Sequence, residues 1–242
     1  MITLTNRLGA TLTMQMTMSI DETGHTMQID SERLAHGDGS IFCGESVEPR
    51  SFTAKGSLYY ADKTINRVKI DELNQFLRYA PIEVDRGDGR NILARKKSFV
   101  SKWLDDDIEV ELTIEFEALD PYFYGSPVTV EQTVTTVDTI AIASLGEAYP
   151  VITLDITGSC TDPTLTCDGQ SIIVAGTYTT GKIIIDSKRM RATYEGAGII
   201  GSMNDSWLNS SFLITKDSTS IAFSATGSYS IDITIDFRPR FL

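Results

Sequence analysis

The sequence predicts a mainly β protein, and three features carry that prediction. Two distant segments, Asp107–Glu117 and Ser228–Phe237, alternate polar and apolar residues almost without fault, as long strands with one buried face do. Each segment leads into a cluster of proline and aromatic residues, where proline cannot donate to a sheet ladder and stops the strand. Beyond residue 126, short apolar segments alternate with Gly, Asp, Asn and Ser turns, which is typical of a sandwich or jelly roll.

Size and charge narrow the choice of partners. The 242 residues suffice for one large domain or two of ordinary size, and either arrangement has a core that is stable without disulfides or structural metals. The 33 acidic and 21 basic side chains give a net charge of −12, which repels nucleic acid and anionic membranes. We therefore expect neither nucleic acid nor membrane among the partners.

The cysteines and the amino-terminal segment indicate the compartment. Three cysteines are an odd number, and a chain of this length has no need of a disulfide framework, so a reducing compartment is expected. The alternative is a disulfide between Cys160 and Cys167 across a hairpin. The first residues lack a basic segment followed by an apolar run, and no run of about 18 apolar residues occurs. We expect a soluble protein that is not exported by a signal peptide.

The first half combines short strands with one helix. Residues 1–60 are predicted to form strands around turns, with alternating apolar residues over Leu12–Met18. A helix is predicted over Asp62–Tyr79, with Asp62 as its N-cap and Pro81 preventing its continuation. The residues expected to share its apolar face are Ile65, Leu73, Phe76, Leu77 and Ala80.

The first alternating strand is expected to pair with the segment before it. Asn91–Trp103 leads to a turn at Asp105–Asp106, and a hairpin about that turn gives both strands a consistent buried face. The predicted pairs are Trp103 with Ile108, Phe99 with Leu112, Lys102 with Glu109 and Lys96 with Glu115. The glutamates of this strand then form a salt-paired or solvated face, and a catalytic row is the less favoured reading.

Gly125–Pro127 is the best candidate for a domain boundary, because proline follows a flexible pair directly after a strand ends. We predict a β domain with one helix (about 62–79) over residues 1–125, and a β-sandwich of jelly-roll type over residues 126–242. The strands predicted in the second domain, besides the final one, are Pro150–Thr157, Ser171–Val174, Lys182–Asp186, Arg191–Tyr194, Phe212–Ile214 and Ser220–Phe223.

Motifs for catalysis or metal binding are weak. The histidines are His25 and His36, so a zinc site would have to recruit Cys43 or carboxylates, and neither Cys-x-x-Cys nor His-x-x-x-His spacing occurs. Gly44–Ser46 lacks the second glycine of a hydrolase nucleophile turn, and a phosphate-binding glycine loop is absent from the sequence. We therefore assign no catalytic, cofactor-binding or metal-binding residue and expect no cofactor.

Paired carboxylates are the strongest catalytic alternative, because sandwich glycosidases place two acids on neighbouring strands. The candidates are Asp155, Asp186, Asp232 and Asp236. Asp232 and Asp236 lie on the polar face of the last alternating strand, and Asp186 precedes Ser and Lys in a sequence typical of a turn. A structural role is the favoured interpretation for all four.

Two short motifs are also explained without a function. Arg86–Asp88 matches a tripeptide that some receptors on animal cells recognise, but the Asp-Gly that it contains is typical of a hairpin turn. Asn204–Ser206 and Asn209–Ser211 fit the glycosylation acceptor pattern, which has meaning only in a secreted eukaryotic protein.

Four motifs, taken in their order along the chain, resemble the distal tail proteins of long-tailed, siphovirus-type bacteriophages. They are Phe116–Gly125, Gly146–Ile152, Gly181–Asp186 and Ile235–Leu242. The resemblance covers most of residues 40–242, and the first 40 residues are the least typical part. It implies a structural protein with a barrel-like amino-terminal β domain that carries one helix, followed by a β-sandwich similar to galectins or carbohydrate-binding modules.

The resemblance also implies a function without catalysis. Six copies would form a ring at the distal end of the tail tube, in the virion tail tip, after assembly in the host cytoplasm. The implied partners are further copies of the chain, the tail tube protein, the tail-tip hub, and a receptor-binding protein or cell-surface carbohydrate. We expect the ring contact in the Asn91–Glu117 hairpin and the strand Arg50–Tyr60, because long strands invite edge pairing between subunits.

Two other classes of function stay open. A bacterial carbohydrate-binding module with an accessory β domain would stack sugar on an exposed aromatic residue, and Trp207 is the first candidate. The other aromatic candidates are Tyr149, Tyr178, Tyr194 and Tyr229. A sandwich glycoside hydrolase would instead lose its activity when two of the aspartates become asparagine.

Overall fold

The computed structural model describes residues 2–14, 16–20, 27–33, 40–59, 62–85, 87–104, 109–205, 207 and 212–241, with side chains over 3–12 and from residue 48 onward within these ranges. Strands dominate, and one α-helix occurs among these residues, so the predicted fold class is confirmed. Two compact units are present, Met1–Tyr124 with Leu242 and Gly125–Phe241.

The first unit contains ten strands and one helix within its described residues. The elements are β1 (Ile2–Asn6), β2 (Thr11–Met14), β3 (Met16–Ile20), β4 (Met27–Arg33), β5 (Ser40–Val47), β6 (Arg50–Tyr59), α1 (Lys63–Phe76), β7 (Ile82–Asp85), β8 (Asn91–Trp103), β9 (Glu109–Ala118) and β10 (Phe123–Tyr124).

Seven of these strands curl into a barrel. Their order is β2-β1-β7-β8-β9-β6-β3, and all neighbours are antiparallel. The two end strands of this order, β2 and β3, are separated in the chain by residue 15 alone, so the covalent chain joins the two edges. Strand β8 turns the opposite corner, because Asn91–Ala94 pair with β7 and Arg95–Trp103 pair with β9. The barrel-like prediction is thus confirmed.

Alternation of side chains fills the barrel. Along β9, Val110, Leu112, Ile114 and Phe116 are fully buried, whereas the glutamates between them are exposed or half-buried. Phe116 stacks on Phe52 of β6 with ring centroids 5.2 Å apart. Each such side chain stabilises the fold by about 1.5–3 kcal/mol when it leaves water, so the period-2 pattern in the sequence is the main cause of this strand.

The helix begins where the sequence predicts and ends earlier. Asp62 is the N-cap, and its carboxylate accepts a hydrogen bond of 2.7 Å from the Thr64 N–H. The helix covers Lys63–Phe76. The Arg78 and Tyr79 N–H groups that follow bond to carbonyls three residues back, which tightens the chain after the last turn. Leu73 and Leu77 are buried as predicted, but Ile65 is 44% exposed, since it lies about 80° around the helix from Leu73.

The predicted register of β8 on β9 is wrong by two residues. Trp103 lies opposite Val110 and Phe99 opposite Ile114. The turn is longer than predicted, because the Leu104 N–H bonds to the Glu109 carbonyl and residues 105–108 lie between them. A bulge at Lys97 then shifts the register back by one residue, so the error is one residue at Lys96 and Arg95.

The register error changes the ionic partners. Lys96, predicted to face Glu115, lies opposite Phe116 in the ladder, and its ammonium donates to the Asn74 side chain on α1 at 2.7 Å. Glu117 instead forms an ion pair with Arg95 at 2.5 Å. Ile108, the predicted partner of Trp103, lies outside the described residues.

The second unit contains nine strands and one 3₁₀ helix within its described residues. The elements are β11 (Val128–Val134), β12 (Asp138–Ala141), β13 (Val151–Cys167), β14 (Gln170–Ile173), β15 (Thr177–Asp186), β16 (Arg191–Tyr194), β17 (Ala197–Gly198), η1 (Ile200–Ser202), β18 (Ser220–Phe237) and β19 (Arg240–Phe241).

Two long strands belong to both layers of a sandwich. The first part of β13 pairs with the last part of β18 in a layer that also holds β11, β15, β16 and β17. The remaining parts of β13 and β18 pair with each other, with β14 and with β12. Side chains from both layers share one buried cluster, which includes Leu154, Ile233, Leu165 and Phe223. The predicted β-sandwich is confirmed.

A bulge turns β13 from one layer to the other. Buried residues have even numbers up to Cys160 and odd numbers from Pro163 to Cys167, so one added residue preserves the inward apolar side after the bend. Asp162 occupies the left-handed region with φ of 51°. Its carboxylate and its N–H bond to the backbone of Gly176 at 2.7 and 2.9 Å, which fixes the bend.

The prediction of many short strands in this unit is partly wrong. Ser220–Phe223 and Ser228–Phe237 belong to one strand, β18, because Gly227 continues the chain at φ of 117°. Phe212–Ile214 is not a strand, although Ile214 bonds to Ala148 in both directions across an isolated bridge.

Cys160 and Cys167 are both buried free thiols, so the alternative of a disulfide between them is not realised. A membrane-crossing helix is not found among the described residues, since no helical segment there combines the required length with apolar character.

Candidate assembly surfaces

The four aspartates considered for catalysis do not share a cleft. Asp155 and Asp232 are directly opposite on β13 and β18, on the exposed side of the sheet. Asp155 lies 3.4 Å from the Lys182 ammonium, and Asp232 accepts a 2.6 Å hydrogen bond from the Thr133 hydroxyl. Asp236 accepts an equivalent bond from Thr129.

Asp186 has the turn role that the sequence predicts. Its carboxylate accepts from the Arg189 N–H at 2.9 Å and lies 3.3 Å from the Arg189 guanidinium. These contacts fix the turn between β15 and β16, so the geometry of all four carboxylates is that of a sheet surface and its turns.

The aromatic residues proposed as a sugar platform in the second unit do not expose a ring face on which a sugar could stack. Trp207, the first candidate for a sugar platform, is 1% exposed, and Tyr178 and Tyr229 are also buried. Tyr194 is half-buried, and its hydroxyl donates to the Thr179 carbonyl. Tyr149 is half-buried under the Arg240 guanidinium, which lies 4.4 Å from the ring centre. This arrangement disfavours the carbohydrate-binding interpretation.

Some predicted positions lie outside the described part of the chain. His25, His36 and the side chain of Cys43 lie outside the described part of the chain. The structure therefore does not test the metal site that these residues could form. Among the described residues, no group of three or more metal-ligating side chains is found. Gly87–Arg90 form an exposed turn between β7 and β8, in which Asp85 and Asp88 accept bonds from nearby N–H groups.

The strands predicted to pair between subunits are mostly enclosed in the barrel. Strand β9 has β8 on one edge and β6 on the other, and β6 has β9 and β3. Their hydrogen-bonding edges are therefore occupied over most of their length, so the prediction of free edges is wrong for β6 and β9. In β8, Arg95–Trp103 pair with β9 alone among the described strands, so this part of the predicted hairpin keeps one edge without a strand partner. The sequence could not reveal this, because it does not specify which strands lie at the edge of a sheet.

A different element offers unpaired edges. Strands β4 and β5 pair with each other over Met27–Arg33 and Ser40–Val47, with a bulge after Asp30, and with no other strand of the described residues. A two-stranded ribbon alone is marginally stable in water, because it cannot bury an apolar face. We call β4 and β5 the arm.

The base of the arm is fixed by the barrel. Strand β3 before it and strand β6 after it are partners in the sheet, and Ile20 lies opposite Phe52. The arm is therefore an insertion between two paired strands, and its removal would leave the ends close together.

The first unit also has an apolar groove that the sequence analysis missed. It has a volume of about 370 Å³ and is lined mainly by Pro81, Leu93, Ala94 and Leu119, with the Arg95–Glu117 ion pair at its side. Leu93 is 43% and Leu119 is 62% exposed. Leu93 is apolar at a position of β8 where alternation calls for a polar residue. The resulting run of three apolar residues, Ile92–Ala94, is the sequence feature from which an exposed apolar surface could have been predicted.

The end of the chain fixes the second unit to its own beginning. The Gly125 N–H donates to the Pro239 carbonyl at 2.8 Å, and the Arg238 guanidinium donates to the Gly125 carbonyl at 2.6 Å. Arg240 forms an ion pair of 2.9 Å with Glu147. The proline-aromatic ending thus stops β18 at Phe237, as predicted.

No protein-family model matches the chain, and no curated protein sequence matches it. Among solved structures, the chain is similar to the crystal structure of the SPP1 Dit protein (gp 19.1), described as a paradigm of the hub adsorption apparatus in phages that infect Gram-positive bacteria. The TM-score is 0.71 at 19% identity, over 100% of both chains.

Weaker similarity extends to the phage P2 baseplate in its activated conformation, in the forms with Ca and with Sr. Both have a TM-score of 0.46, at 7% and 8% identity, and cover 96% of this chain and 97% of the other. The resemblance to phage distal tail proteins that the sequence motifs indicate is confirmed by the first comparison at the level of the fold, and this chain has the Dit fold along its whole length.

Proposed function

We propose that this chain is a structural protein of a phage tail tip, and that copies of it form a ring, with six members, at the distal end of the tail tube. The first unit forms the ring, and the second unit is presented for attachment to a receptor-binding protein or to the host surface. The chain acts by assembly and has no catalytic role. The whole-length similarity to Dit supports the tail-tip assignment.

The arm is the observation that carries ring assembly. Its strands pair only with each other in the described residues, and such a ribbon gains stability when a neighbouring surface covers it. A contact in which the arm of one copy meets a different surface of the next is head-to-tail, and repetition of such a contact closes a ring when the rotation allows.

Removal of the arm tests the proposal. Because Ile20 and Phe52 are opposite each other, residues between β3 and β6 can be replaced by a short glycine-containing turn that keeps the barrel intact. We expect full-length protein to form rings on concentration, visible by negative-stain microscopy and sedimentation, and the variant to stay monomeric. Circular dichroism and thermal unfolding establish that the variant is folded.

The outcomes separate clearly. A full-length chain that stays monomeric at all concentrations and also beside the tail tube protein contradicts ring assembly. Rings formed equally well by the variant without the arm contradict the role of the arm. A matched control changes the second unit alone, with Asp217→Asn, and should form rings normally.

A further inference from the structure

The first strand of the second unit, β11, has one hydrogen-bonding edge without a strand partner. Val128–Val134 pair with β18 over seven residues, and no strand in the described part of the chain pairs with the opposite edge. An unpaired row of N–H and C=O groups of this length is a template for the addition of another strand.

The outward side of this edge is acidic. Glu131 is exposed on β11, and Asp232 and Asp236 are exposed beside it on β18. Each aspartate accepts one hydrogen bond from a threonine hydroxyl of β11, and none of the three carboxylates has an ion-pair partner among the described residues. A shallow depression of about 420 Å³ lies over Glu131, Thr133, Asp232 and Thr234.

The inward side of the same edge carries three valines and Gln132, whose amide donates to Asp138, and it is incompletely covered. Val128 and Val130 pack against the sandwich core but remain half-buried, in contrast to Val134, which is 1% exposed. An added strand would therefore meet carboxylates on one face and valines on the other, in the period-2 alternation of β structure.

We propose that the β11 edge binds an extended segment of another protein in which lysine or arginine alternates with apolar residues. The basic side chains would face Glu131, Asp232 and Asp236, which lie within about 10 Å of the added strand, or two strand spacings. The apolar side chains would cover Val128 and Val130. This binding does not depend on ring assembly.

Charge decides between this partner and a second copy of the chain. Two β11 edges paired with each other would bring acidic side chains together, and like charges on neighbouring strands are destabilising. The net charge of −12 further opposes self-association at an acidic edge and increases the rate of encounter with a basic segment. A basic alternating segment fits both faces of the edge.

A synthetic peptide of the same length as β11, with lysine and valine in alternation, provides the probe. Its binding to the full-length chain is measured by fluorescence anisotropy, and hydrogen exchange detects protection of the β11 amides. We expect Glu131→Gln, Asp232→Asn and Asp236→Asn together to weaken binding by about tenfold, since one cross-strand charge pair at Glu131 and the longer-range attraction of two aspartates on β18 are lost. A peptide N-methylated at alternate residues should not bind, because its backbone donors are blocked.

A matched variant controls for net charge. Asp71→Asn, Asp205→Asn and Asp217→Asn together remove three exposed carboxylates elsewhere, and this variant should bind like the unmodified chain. The proposal would be overturned if both variants lost binding equally. It would also be overturned if the methylated peptide bound as well as the unmethylated one, or if the unmethylated peptide did not bind at millimolar concentration. A change of self-association in the first variant would also overturn it, because the occupant would then be a second copy.

Discussion

At the scale of single residues, two glycines permit the close approach of the long strands of the sandwich. Gly227 on β18 and Gly158 on β13 have φ of 117° and 92°. A Cβ at Gly158 would lie 2.5 Å from the Ser228 carbonyl oxygen, and one at Gly227 would collide with the Ser159 carbonyl. Each glycine thus faces the backbone of the partner strand, where a side chain has no room.

Gly227→Ala is expected to destabilise the second unit strongly. The positive φ alone costs about 1–3 kcal/mol, and the clash with backbone adds to it. Gly169→Ala is the matched control, because Gly169 also has a positive φ but has open space around it. Chemical unfolding should rank Gly227→Ala well below Gly169→Ala, and equal stabilities of the two variants would contradict a role for the clash.

Burial of Cys160 lowers the free energy of unfolding of the protein at high pH. Burial, with a smaller effect of Asp162, raises the pKa of Cys160 from 9.0 to about 11. The folded state therefore disfavours the thiolate, so this contribution to stability is complete below pH 9 and decreases as the pH rises toward 11.

Unfolding measured between pH 8 and 11 tests this dependence. In the unmodified chain, the free energy of unfolding should decrease over this range, and Cys160→Ala should reduce the decrease. An identical pH dependence in the two proteins would count against the assignment. Cys167 has a raised pKa from the same cause and remains in both, so the comparison isolates Cys160.

At the scale of elements, the helix shows how a local signal and a packing signal combine. Asp62 is the N-cap of α1, and its carboxylate accepts a hydrogen bond from the Thr64 N–H in the first turn. Farther along, Lys63 and Arg67 lie 5.4 and 6.0 Å from the Trp103 ring centre, which ties the helix to β8. The start is fixed by the cap, and the position on the barrel by Trp103, Leu73 and Leu77.

Asp62→Ala should destabilise the first unit by about 1 kcal/mol, because an N–H of the first turn loses its acceptor. Asp62→Ser should restore most of the loss, since serine also caps helices, while Asp71→Ala on the exposed side should have a small effect. Thermal unfolding followed by circular dichroism measures all three. Equal destabilisation by the alanine and serine variants would exclude the capping role.

At the scale of the whole molecule, the second unit has a core and ends of its own. Its buried cluster extends from Val134 to Phe237 and contains residues of that unit alone. Gly125 and Pro239 are joined by a backbone hydrogen bond, so both ends of the unit lie together. Units with these properties commonly fold in isolation.

A fragment from Gly125 to the carboxyl terminus is therefore expected to fold alone. Near-ultraviolet circular dichroism and one cooperative thermal transition would establish this. A shorter fragment that ends at Phe237 lacks the bonds of Arg238 and Arg240 and should unfold at a lower temperature. If the fragment that begins at Gly125 and keeps the carboxyl terminus lacked a cooperative transition, folding of the second unit would depend on the rest of the chain.

The sequence by itself determined the elements whose signals are local. The alternation of β9 and β18, the N-cap at Asp62 and the prolines that stop strands follow from side-chain period and backbone chemistry, and from them the β class with one helix. Strand edges and registers are not local, because they depend on which distant segments meet.

Only the tertiary structure decided those questions. The bulges at Lys97 and Asp162, the merging of two predicted strands into β18 and the enclosure of β6 and β9 all arise when the buried faces of distant segments are matched. The candidate surfaces, which are the arm, the groove at Leu93 and the β11 edge, are what this matching leaves uncovered. A surface left open is a property of the whole fold, so periodicity along the chain does not specify it.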